Sequence, residues 1–145
     1  MTAGDVDAAV TLASAYVDAR NHSRAEQVLR EALTASPDSA ELLANLARVQ
    51  ILVKDYYVAA STAYAALAIS PEDAFAMRMY AIALDGVGRL DEALSVAWRA
   101  ATTHSHDRLA HYVYAELLLK AGRAYDALYV VGEVLRLDPA SVFKG

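Results

Sequence analysis

Apolar residues recur three and four positions apart along most of the chain, as in Leu42, Leu43, Leu46, Val49 and Val53. That spacing draws an apolar stripe down one side of a helix. It predicts eight helical segments, at 7–19, 23–35, 41–53, 56–69, 75–86, 90–102, 109–121 and 124–137. Asp38 with Glu41 three residues later reads as an acidic capping box opening the third segment. Pro37, Pro71 and Pro139 fall between pairs of segments, where proline stops one helix and helps set the start of the next.

The apolar pattern is itself periodic. Pro37 and Pro71 are 34 residues apart, Pro139 lies two such steps further on, and Ser105 fills the vacant place. The same step links Ala13, Ala47, Ala81 and Ala115, and again Ala25, Ala59, Ala93 and Ala127. Looser columns agree: Leu12, Leu46, Tyr80 and Tyr114; Ala32, Ala66, Ala100 and Val134. Alanine fills roughly a fifth of the chain; it is the best helix former, and its small side chain marks where two helices of a unit cross closely. Gly88 and Gly122 fall in the short turns between paired helices, where glycine relaxes the backbone limits.

A 34-residue unit of two helices with small-residue columns and a closing proline resembles the tetratricopeptide repeat family. The clearest copies of the family's mid-repeat phrase are GRLDEAL at Gly88–Leu94 and GRAYDAL at Gly122–Leu128, while Arg20 and Lys54 stand where the first two copies lack that glycine. The family's opening tryptophan is absent from all four. The resemblance implies an all-α, right-handed helical-hairpin solenoid of four tetratricopeptide repeats, at 6–39, 40–73, 74–107 and 108–141, with 142–145 opening a missing cap or fifth repeat.

In such a solenoid the first helix of each pair lines a concave face. The resemblance therefore implies a partner-binding groove carrying Val10, Ser14, Asn45, Arg48, Leu52, Phe75, Arg78, Ile82, Leu109, Tyr112 and Glu116. Its mixture of apolar side chains and charges suits an extended or helical peptide of a protein partner. A subgroup of the family grips C-terminal carboxylates with lysines, arginines and asparagines. Asn45 matches one of those positions, but Val10, Ser14, Phe75 and Met79 occupy others, so that clamp is absent.

Composition narrows the alternatives. A net charge of −5 and only scattered arginines argue against nucleic acid, which calls for a clustered basic face. With no cysteine there is no disulfide framework, thiolate metal site or thiol nucleophile. His104, His106 and His111 lie close in sequence, but two fall in an inter-repeat turn and His111 in the packing column of Ala9, Leu43 and Met77. No metal site or cofactor is expected from them. The Gly86–Gly88 spacing has no strand before it and no GK after it, and no nucleophile–base pair stands out, so no enzyme is expected. The nine tyrosines read as core and hinge fillers.

The opening MTAGDVDAAV has no basic segment of a secretory signal, and no apolar run is long enough to span a bilayer. A cytoplasmic protein, or the soluble domain of a longer membrane-attached one, is expected, with the arginine-preferring, alanine-rich usage of a bacterial chain. The final helix carries Val130, Val134 and Leu135 with little sequence after it to cover them. Two expectations follow: a fragment of a longer protein, and a self-association face at Val130, Val134 and Leu135 that forms a homo-oligomer.

Overall fold

The computed structural model describes residues 2–137, and every element among them is a helix. The helices are α1 (Ala3–Asp18), α2 (His22–Ala35), α3 (Ala40–Leu52), α4 (Tyr56–Ile69), α5 (Ala74–Gly86), α6 (Leu90–Thr103), α7 (Arg108–Lys120) and α8 (Ala124–Leu137). His22, Tyr56, Leu90 and Ala124 open the even-numbered helices at steps of 34 residues, and Ala40, Ala74 and Arg108 do the same for three odd-numbered ones. Pro139 and Val142 lie outside the described residues.

Each hairpin turns by the same backbone device. The left-handed position is filled by Arg20 (φ 60°), Lys54 (φ 64°), Gly88 (φ 84°) and Gly122 (φ 76°). In the first turn the Arg20 N–H donates to the Val17 carbonyl and the Asn21 N–H to that of Tyr16. Lys54 with Asp55, Gly88 with Arg89, and Gly122 with Arg123 repeat this pair of bonds. It is a Schellman closure, which satisfies the last carbonyls of the helix. Only two of the four turns have the residue that enters this conformation without a Cβ penalty.

The starts of α1, α2, α3, α5 and α7 are capped by side chains, whereas those of α4 and α6 are not. Asn21, Ser39, Asp73 and Asp107 each accept a backbone N–H from the first turn of the helix they precede. The cap of α3 is thus Ser39, whose hydroxyl accepts from the Leu42 N–H. The capping box expected at Asp38 and Glu41 does not form, because the helix begins one residue later than that motif requires. A reciprocal box does close α1: the Thr2 hydroxyl accepts from the Asp5 N–H, and the Asp5 carboxylate accepts from the Thr2 N–H. That backbone donor, and then the Thr2 hydroxyl, hold the Asp5 carboxyl below its usual value.

Packing follows the small residues. Every member of the two complete alanine columns is buried, so α1 and α2, and each later pair, close on alanine. Between these crossings sit the large core side chains Leu29, Leu42, Met77, Leu84, Leu118 and Val134. Consecutive odd-numbered helices touch: α1 meets α3, α3 meets α5 and α5 meets α7. Each even-numbered helix through α6 packs on its own partner and on the odd-numbered helix that follows. No contact joins α2 to α4, α4 to α6 or α6 to α8 among the described residues. An inner layer that touches and an outer layer that splays give a curved stack with the odd-numbered helices on the concave side.

Candidate functional site

The inner face is built from the side chains that α1, α3, α5 and α7 do not spend on packing. Leu52, Leu109, Tyr112 and Glu116 are exposed there, and Val10, Ser14, Asn45, Arg48, Phe75, Arg78 and Ile82 are partly accessible. All of these residues lie on odd-numbered helices with at least partial exposure, whereas Ala44 and Met79 of the same helices are buried.

Several of these groups are already engaged. The Asn45 amide donates to the Glu41 carbonyl, so this asparagine is tied to its own helix. The Arg78 guanidinium lies 5.4 Å from the centre of the Phe75 ring and 3.9 Å from the Asp107 carboxylate. Phe75 also packs against buried residues of two core clusters. The Lys120 ammonium pairs with the Asp85 carboxylate of the preceding hairpin. Hydrogen bonding to Asp85 raises the lysine above its ordinary value. What remains free for a partner is an apolar set, Leu52, Leu109 and Tyr112, with Arg48 and Glu116 beside it.

Two of the four histidines are spent on backbone. His104 Nε2 bonds the Glu72 carbonyl and His111 Nδ1 the Asp107 carbonyl, and His111 is buried. Among the described residues no three His, Cys, Asp or Glu side chains come together as metal ligands. No helix among them is long and apolar enough to cross a membrane.

Two expectations are corrected. Val130 and Val134 of α8 are buried, Val134 to 1%, because they continue the inward-facing columns against α7. They offer no surface to a second copy. The exposed apolar side of α8 is formed by Tyr125, Leu128, Tyr129 and Val131, with Leu135 only partly accessible. The tyrosines are not mainly core fillers either: Tyr57, Tyr64, Tyr112, Tyr125 and Tyr129 are exposed. Four of those five stand on even-numbered helices, as does Trp98, which is 55% exposed.

Tyr57, Tyr64, Trp98 and Tyr129 border the clefts that splaying opens between even-numbered helices. One lies between α4 and α6, with Tyr80 of α5 as its floor. The other lies between α6 and α8, with Tyr114 of α7 in the corresponding place. Sequence reasoning missed them. The column Arg30, Tyr64, Trp98 and Gly132 held the signal, since an arginine at one of its places marks it as solvent-facing.

Known proteins give the same fold. MamA residues 41 to the end from Desulfovibrio magneticus RS-1 is 19% identical, with a TM-score of 0.78 over 91% of this chain and 75% of that one. MamA of AMB-1 is 26% identical, with a TM-score of 0.68 over 92% and 78%. A thermophilic TPR protein of Thermus thermophilus, TTC0263, is 19% identical, with a TM-score of 0.82 over 92% and 74%. No curated protein matches the chain in sequence. Tetratricopeptide repeat models match residues 6–49 and residues 79–142. With matches on both sides of an uninterrupted stack of helical hairpins, the chain belongs to the tetratricopeptide repeat family.

Proposed function

We propose that this chain is a protein-interaction scaffold that seats an extended or helical peptide of a partner along the faces of α1, α3, α5 and α7. The functional unit is the whole set of four 34-residue repeats, acting without catalysis and without carboxylate-clamp chemistry. One observation carries the reading: the odd-numbered helices form a continuous layer that leaves Leu52, Leu109 and Tyr112 exposed beside the charged Arg48 and Glu116. Exposed apolar side chains with charges on the same helices give a peptide both contact area and a direction. A Leu109→Ala, Tyr112→Ala double variant tests it. Capture of the partner from cells that express the protein should be lost while helix content by circular dichroism is unchanged. Undiminished capture would remove this face from consideration.

A second reading, self-assembly through α8, is supported by its exposed Tyr125, Leu128 and Tyr129. Leu128→Glu should then lower the mass measured by light scattering. A protein already monomeric before the change ends this reading.

A further inference from the structure

Helix α4, with the sequence YYVAASTAYAALAI, has no charged residue. A helix that is apolar almost all round belongs in an interior, yet Tyr57, Val58, Tyr64 and Ile69 of α4 are exposed, Tyr57 to 76%. Of these, Tyr57 and Tyr64, with Ala60 and Leu67, form one wall of the cleft between α4 and α6. The cleft consists of two hollows, of about 260 and 320 Å³. Tyr64 and Tyr80 line both, with ring centres 5.8 Å apart and planes tilted by 60°.

The charges lining this cleft are all positive. Arg89 borders one hollow and Arg99 the other, and no carboxylate lines either. Arg89 is held by Glu92; Arg99 has no ion-pair partner among the described residues. In a chain of net charge −5 this is a local reversal of sign. The cleft between α6 and α8 is its internal counterexample: Trp98 and Tyr114 repeat the aromatic pair, but Asp126, Glu133 and Asp91 line it beside Arg123.

We propose that the α4–α6 cleft is a second docking site, on the opposite face from the groove, for an extended acidic peptide with an apolar centre. The apolar residues would enter the hollows on either side of the Tyr64–Tyr80 pair, and carboxylates would meet Arg99 and, competing with Glu92, Arg89. Arg89 immediately precedes α6 and Arg99 lies ten residues on within it, or about 15 Å at 1.5 Å per residue. An extended chain covers that distance in about five residues, so the carboxylates should be four or five residues apart. Charge selects the cleft: among the described lining residues such a peptide meets Arg99 and the Glu92-paired Arg89 between α4 and α6, against three carboxylates beside one arginine between α6 and α8.

The probes are fluorescent seven-residue peptides with glutamate at the first and sixth positions and Pro, Leu or Phe at the third and fourth. A matching panel has lysine in place of glutamate. Fluorescence anisotropy on the full chain should show saturable binding by members of the glutamate panel only, weakening as salt is raised. Arg99→Glu should weaken it at least tenfold and Tyr64→Ala severalfold, while Arg123→Glu leaves it within twofold. These side chains are exposed, and circular dichroism checks that each variant stays helical. Binding by neither panel, equal binding by both, or indifference to Arg99→Glu overturns the proposal. So does a mass that doubles in solution and falls on Arg99→Glu, because a second copy would then fill the cleft. None of these results bears on the inner groove, whose test uses Leu109 and Tyr112.

Discussion

The odd-numbered helices touch one another from α1 to α7, while among the described residues the even-numbered helices meet only odd-numbered neighbours. The two layers share one 34-residue period and the same buried alanine columns, so local helix formation does not separate them. Position in the stack does. The inner layer spends Leu42, Met77, Leu84 and Leu118 on packing and keeps a narrow mixed strip for a partner. The outer layer is spread by the curvature, so its aromatics stand in clefts without filling them. Large side chains that face between the layers, Leu29 and Val134 of the outer helices included, stabilise the stack, while those that face the outer clefts are available for binding.

The contrast breaks most visibly at Leu84. It is fully buried, and Leu84→Ala should cost about 3 kcal/mol through lost burial and a residual cavity. Trp98→Ala on the outer layer, although it removes a larger side chain, should stay within about 0.5 kcal/mol, as exposed positions do. Urea denaturation of the two variants measures both, and equal losses would erase the distinction between the layers.

The junction between hairpins at Gly86 comes next. A Cβ built there would lie 2.2 Å from the Tyr56 ring, near the root of that side chain, so α4 and α5 would have to move apart. Gly86→Ala should cost about 1–3 kcal/mol, as overpacked sites do. Thermal melts should show most of that cost disappearing in a Tyr56→Ala background.

A smaller change should strengthen the inner layer. Gln50 is buried with its amide oxygen unpaired, at the place that Leu84 and Leu118 take in later repeats. Gln50→Leu should stabilise by about 1–2 kcal/mol by removing a buried polar group that lacks a partner. A lower urea midpoint would show that the amide is satisfied in solution.

The smallest effect is expected at the hairpin turns, which both layers share. Arg20→Gly and Lys54→Gly give the first two turns the residue already present at Gly88 and Gly122. Each should gain about 1 kcal/mol by relieving a left-handed backbone. Calorimetry should show both melting higher than the parent chain.

Much of the fold was legible because the repeat multiplies weak signals. A single Ala47 says little, but Ala13, Ala47, Ala81 and Ala115 at one spacing identify a helix crossing. The cap of α3 was misplaced by one residue because Asp38 and Ser39 are both good caps, and only the start of the helix decides between them. The expectation of a free surface at Val134 rests on its apolar character and the little sequence that follows to cover it, although its column of Ala32, Ala66 and Ala100 belongs to a buried face. The outer clefts were the least legible feature. They arise from the angle between successive hairpins, which is set by packing across repeats and leaves no motif of its own.

The central claim is that a partner lies along the inner layer. Its most direct measurement places a photo-crosslinking residue at Ile82 or Tyr112, and separately at Tyr125 on the outer side of α8, in cells that make the protein. The account predicts that positions 82 and 112 trap the same partner, in a discrete adduct that Leu52→Asp diminishes. Adducts from position 125 alone, with none from 82 or 112, would contradict it.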